Sequence, residues 1–203
     1  MKKLLITEGY NDKLFFSYIF SMSNFCHESK IDIFNSEDQR GNLNPKETLS
    51  IRRFLERYSP YQVLIKIENG KPNVLSVFSQ SIVNILCYSG DISTIIAFDH
   101  DHKAPEKDFD DIFDKTRRRK SDIDFVLEEK RPFLSSKILI HRYTLVKKRS
   151  AANKVISRCN FLTFPTSLEA VAGISDGEDP EKIKKIHELA ESLCGTDAID
   201  LFK

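Results

Sequence analysis

The chain has no tryptophan, no Cys-x-x-Cys pair, no excess of either charge and no apolar run long enough to cross a membrane. Its four cysteines, Cys26, Cys87, Cys159 and Cys194, are scattered and form no Cys/His cluster at zinc spacing. That excludes a zinc module and leaves reduced, mostly buried thiols as the expectation. Lys plus Arg number 31 against 30 Asp plus Glu, a net charge of +1. A global nucleic-acid coat or membrane-surface binder is excluded, so any basic surface must be local. A membrane-spanning helix needs about 20 apolar residues, and none is found. The start, Met1 to Ile6, has a signal-like look, but Glu8 and Asp12 interrupt it before it reaches the length of a signal core. A soluble, cytoplasmic protein is expected. Neither an internal repeat nor a low-complexity tract is present.

What the chain does have is a regular succession of short apolar runs and amphipathic stretches. At 203 residues it can bury one substantial core, and one domain over 1–203 is expected. Lys3 to Ile6 reads as a strand buried on both faces, followed by a helix with Leu14, Phe15, Tyr18, Ile19 and Met22 at three- and four-residue intervals. Residues 29–59 read as an insertion with a strand at Ile31 to Phe34 and a helix from Pro45 to about Tyr58. Further strands are predicted at Gln62 to Ile67, Ile92 to Phe98, Lys137 to Tyr143 and, briefly, Phe161 to Phe164. A helix carrying Val74, Val77, Phe78, Ile82, Ile85 and Leu86 separates the first two of these. Residues 105–127 read as one or two surface helices, and 146–203 as an extension ending in helices. Strands alternating with helices predict an α/β fold, a mainly parallel central sheet with helices on both faces.

Acidic residues follow two of the buried strands: Glu8 with Asp12, and Asp99 with Asp101. In open α/β sheets ligands bind beyond the carboxyl ends of the strands, so these carboxylates converge if their strands are neighbours. Crowded carboxylates need a counter-charge, and hard oxygen donors suit Mg2+ or Mn2+. Such an ion stabilises charge on a phosphoryl oxygen and orients an attacking water, which points to phosphoryl or phosphodiester chemistry.

Leu4 to Asp12, an apolar strand followed by E-G-x-x-D, resembles the first motif of the Toprim superfamily, and Ile95 to Asp101, a strand ending in D-x-D, resembles its second. Gly70-Lys71-Pro72-Asn73-Val74 is similar to the G-K-x-N-V turn of the overcoming-lysogenization-defect (OLD) nuclease type. The resemblance covers roughly residues 2 to 145. It implies a Toprim/Rossmann-like fold and a magnesium-dependent nuclease or related phosphotransfer enzyme acting on DNA or RNA. Glu8 would be the general acid or base, with or without a ligand role; Asp99 and Asp101 would hold the metal, Asp12 would be a further ligand or support one, and Glu169 would be the additional downstream acidic ligand. Where many members carry a glycine after D-x-D, this chain continues His102-Lys103-Ala104-Pro105. No topoisomerase tyrosine domain, primase zinc module or P-loop is visible, so a small stand-alone Toprim protein is expected.

Lys71 and Lys103 flank the expected crevice and could balance phosphate charge, which makes Lys103 a second catalytic candidate. Gly70, Lys71 and the run Arg117, Arg118, Arg119 are candidate phosphate or nucleic-acid contacts. Each reading has a plainer rival. A carboxylate after a strand is often a helix cap, a basic run is often a solvated helix face, and His100 and His102 read as exposed loop residues. A non-catalytic module that binds nucleic acid or a protein partner through the same crevice is the alternative function, and a homodimer is compatible with either. A haloacid-dehalogenase-type phosphatase fits less well, because the D-x-D lies mid-chain with no following Thr. A nucleotide-sugar transferase leaves E-G-x-x-D unexplained.

Overall fold

The computed structural model describes residues 2–23, 25–36, 42–88, 92–100, 105–128, 133–134, 136–149, 152–175, 179–194 and 202. Strands β1 (Lys2–Thr7), β2 (Ile31–Asn35), β3 (Val63–Ile67), β4 (Ile92–Asp99), β5 (Ile123–Leu127), β6 (Phe133–Leu134), β7 (Leu139–Lys147) and β8 (Lys154–Phe164) form one sheet. The helices are α1 (Tyr10–Met22), α2 (Pro45–Leu55), α3 (Lys71–Val77), α4 (Val83–Leu86), α5 (Pro105–Arg119), α6 (Leu168–Ala172) and α7 (Lys182–Cys194). A π-helical turn at Phe78–Ile82 joins α3 to α4. The sheet order is β2-β3-β1-β4-β8-β7-β5, with β6 beside β7. Pairing is parallel from β2 through β8, and β7 runs against β8, β5 and β6. The fold is therefore α/β with a mainly parallel sheet.

Alternation along the strands sorts the core into two layers. Leu5, Ile65, Ile95, Ala97, Leu162 and Phe164 face α1, α6 and α7. Leu4, Ile6, Leu64, Ile96, Phe98 and Phe161 face α2 to α5. Because β1, β3 and β4 are covered on both sides, they read as continuous apolar runs. Among the described residues no helix is long and apolar enough to cross a membrane. None of the four cysteines is in a disulfide; Cys26 and Cys159 are buried, and Cys87 and Cys194 are partly so.

Two expectations need correction. Residues 123–127 are not helical: Ile123 and Phe125 are buried on the α5 face and pair with β7, so the alternation of this β-branched and aromatic run prevails over the helical spacing read into it. The strand expected only at Phe161 to Phe164 spans eleven residues and lies between β4 and β7. Its polar half is held inside the sheet by side-chain hydrogen bonds, Ser157 Oγ donating to the Ile92 carbonyl at 2.7 Å. The segment expected as a C-terminal extension thus supplies a central strand.

The direction of the crossovers positions the crevice. From β1 the chain leaves into α1 on one face, whereas from β3 and β4 it leaves into α3 and α5 on the other. The crossovers therefore part at β1, and such a switch point is the usual place for a ligand in a sheet of this kind.

Candidate functional site

Glu8 follows β1 directly, and its Oε1 accepts the Asp99 backbone N–H at 2.7 Å. Since β1 and β4 are parallel neighbours in register from Lys2↔Ile92 to Ile6↔Ile96, this bond ties the two strand ends together. Asp12 lies in the first turn of α1, where its Oδ2 accepts the Gly9 N–H at 2.9 Å. The side chain is only 9% exposed. Burial pushes its carboxyl up to about 8, and the charges of Asp99, Glu8 and Glu169 push it the same way. A carboxylate perturbed by desolvation and by three neighbouring acids is a functional-site candidate.

Glu169 reaches this group from the other side of the sheet order. It is in the first turn of α6, which Ser167 caps by accepting the Ala170 N–H. Asn11 Nδ2 donates to Glu169 Oε1 at 2.5 Å, so α1 and α6 meet through an amide and an acid 158 positions apart. Asn11 was missed by the sequence reading; its only signal there is its place between the two acids of E-G-x-x-D.

Gly70 and Lys71 close the β3 side. Gly70 has φ 85 and ψ 163, a conformation essentially reserved for glycine, and its N–H lies 3.5 Å from the Glu8 carbonyl. Lys71 is mostly buried, donating to the Asp99 carbonyl at 3.1 Å and pairing with Asp108 of α5 at 2.7 Å. Its ammonium also lies 5.5 Å from the Phe98 ring centroid. One cation thus spans β4 and α5 at the edge of the carboxylate cluster.

Two imidazoles flank the site. His100 is half-buried, its Nε2 hydrogen-bonded to Thr163 Oγ1 at the end of β8, so it is not the exposed loop residue expected. His141 lies buried under α5 against Phe109, with ring centroids 4.7 Å apart. Burial holds its imidazole below the ordinary value, against the opposing pull of Glu106.

The arginines expected to contact nucleic acid are elsewhere. α5 starts beside Lys71 and runs back along the sheet, so Arg117, Arg118 and Arg119 end near the start of β5, at the far end of the strands. Arg117 pairs with Asp124 at 2.7 Å, and Arg119 donates to Gln80 at 2.8 Å. These contacts tie Arg117 and Arg119 to the fold, while Arg118 faces solvent. Asp101 and Lys103 lie outside the described residues.

Comparison with known proteins finds no matching family model, no matching curated protein and no matching solved structure. The site must speak through its own chemistry. Among the described residues no group of three or more His, Cys, Asp or Glu side chains is placed so that it could hold a metal ion. What lies together is an all-oxygen set, Asp12 with Asp99, Glu8 and Glu169 close enough for their charges to act on it. That donor chemistry fits Mg2+ or Mn2+ and does not fit zinc.

Proposed function

We propose that the chain is a divalent-metal-dependent nuclease, or a related phosphotransfer enzyme, of the Toprim kind, acting on DNA or RNA. One observation carries the reading: Asp12 is buried among acids from the ends of β1 and β4 and the first turn of α6, and burial first, then their charges, push its carboxyl up to about 8. Glu8, Asp12 and Asp99 would hold the ion, with Asp101 and Glu169 as further ligands. When bound, Mg2+ or Mn2+ supplies charge stabilisation at a phosphoryl oxygen and a more acidic water. Glu8, fixed by the Asp99 amide, is the group that takes a proton from the attacking water or hydroxyl. Lys71 brings positive charge to the β4 side of the cleft, and Lys103 is the second catalytic candidate.

The test is cleavage of single- and double-stranded DNA and RNA with Mg2+, Mn2+ or chelator, run beside Glu8→Gln. Cleavage that needs both the metal and Glu8 supports the proposal and identifies the substrate class. Cleavage that survives chelator or Glu8→Gln sinks it. A second reading, a non-catalytic module that binds nucleic acid or a partner, is favoured by the capping bond of Asp12 to Gly9 and the strand-end bond of Glu8 to Asp99. Both acids have structural tasks there, and binding indifferent to metal and to Glu8→Gln would favour it.

A further inference from the structure

Tyr10 is the first residue of α1, directly after Glu8 and Gly9, and its side chain is 60% exposed. Two residues of chain span at most about 7 Å, so the backbone of Tyr10 lies next to Glu8 at the carboxyl end of β1. Lys13, one helical turn on, places Nζ 4.6 Å from the ring centroid. This i, i+3 contact braces the ring and puts a cation on one of its faces. No other aromatic ring packs on Tyr10 among the described residues. The other strongly exposed aromatics, Tyr58 and Tyr88, precede β3 and β4 and so lie at the opposite end of the sheet.

A large ring left in water next to a charged cleft is neither core nor cap. Its open face fits the π-face of a nucleobase, and the ammonium on its other side fits a backbone phosphate. In a duplex each base is already stacked on its neighbours, so only an unpaired base can lie on a protein ring. We propose that Tyr10, braced by Lys13, is a stacking platform for an unpaired base adjoining the phosphate at Glu8 and Asp99, which makes single-stranded or locally unpaired nucleic acid the substrate. This inference rests on the nucleic-acid reading above and narrows it.

The experiment measures binding of a fluorescein-labelled single strand and of the matching duplex to the full chain in chelator, for wild type, Tyr10→Phe and Tyr10→Ala. Cleavage of the same strands in Mg2+ is followed in parallel. Wild type should prefer the single strand. Tyr10→Ala should weaken single-strand binding by about 10-fold, the scale of losing one stacked base, and duplex binding hardly at all. Tyr10→Phe should bind like wild type, because the ring and not the hydroxyl makes the contact. Tyr10-dependent single-strand binding without cleavage keeps the platform and sinks the nuclease. Metal- and Glu8-dependent cleavage that Tyr10→Ala leaves unchanged, or equal losses on both strand forms, overturns the platform and leaves the nuclease standing. If neither strand form binds in chelator and neither is cut in Mg2+, both proposals fail.

Discussion

Asp12 is where burial and like charge act together. Its carboxyl is raised from 3.8 to about 8, so the proton is bound more tightly in the folded chain than in the unfolded one. A group raised in this way contributes stability that is fully present below the unfolded value, near pH 4, and is lost as pH rises through about 8. In chelator, stability should therefore fall across that window. Asp12→Asn keeps an oxygen for the Gly9 N–H and has no charge to bury. It should melt close to wild type at about pH 4 and several degrees higher at about pH 8.5, because a relief of even 2 kcal/mol moves Tm by roughly 4–8 °C in a chain of this size. With Mg2+ the order should reverse, since only wild type gains the ion. Thermal melts at the two pH values, with and without Mg2+, check this; a difference independent of pH would mean that Asp12 is not carrying the repulsion. Glu8, Asp12 and Asp99 were legible in the sequence because each is an acid just past an apolar run. Glu169 was named there only by the Toprim resemblance, and its bond to Asn11 was not legible, because the two meet only through the fold.

At the level of elements, β3 carries a charge through the core. Lys66 is fully buried and pairs with Glu68 at 2.5 Å and with Glu47 of α2 at 3.3 Å; its ammonium lies 5.1 Å from the Phe34 ring centroid. Burial raises the Glu68 carboxyl, and Lys66 works against that rise. Removing one member of a buried ionic group costs about 3–5 kcal/mol, so Lys66→Met should lower Tm by roughly 10 °C. The deficit should be smaller at about pH 4, where the stranded Glu68 carboxyl, raised by burial, can take up a proton. Circular-dichroism melts measure it, and a mutant as stable as wild type at about pH 8 would show that the cluster is not held as ions. β3 was legible as a strand because four of its five residues are apolar. That its lysine lies inside was not, because α2 and the end of β3 supply the counter-charges. β5 and the first half of β8 were missed for a related reason: their polar residues are satisfied by β7, β4 and α5, partners that local periodicity does not reveal.

For the whole molecule, charge is divided between the two ends of the sheet. The parallel order and the double covering of the central strands could be read from the alternation of strands and helices. The reversed β7, and the end to which α5 carries its arginines, could not, because both depend on which strands become neighbours. The acids, Lys71 and Lys13 stand at the carboxyl ends of the strands, whereas Arg117 to Arg119 stand at the other end beside Asp124 and Gln80. A strand of nucleic acid held at the cleft should therefore not feel Arg118 or Arg119. For single strands, each phosphate neutralised by a cation adds about 0.7 to the slope of log affinity against log salt. Lys13→Ala should flatten that slope by about 0.7, while the pair Arg118→Ala with Arg119→Ala should leave it at the wild-type value. Fluorescence anisotropy over a series of salt concentrations reads both. A slope that falls with the arginine pair instead would mean that the bound strand runs the length of α5, from the carboxylates to the far end of the sheet, and that the basic run belongs to the interface after all.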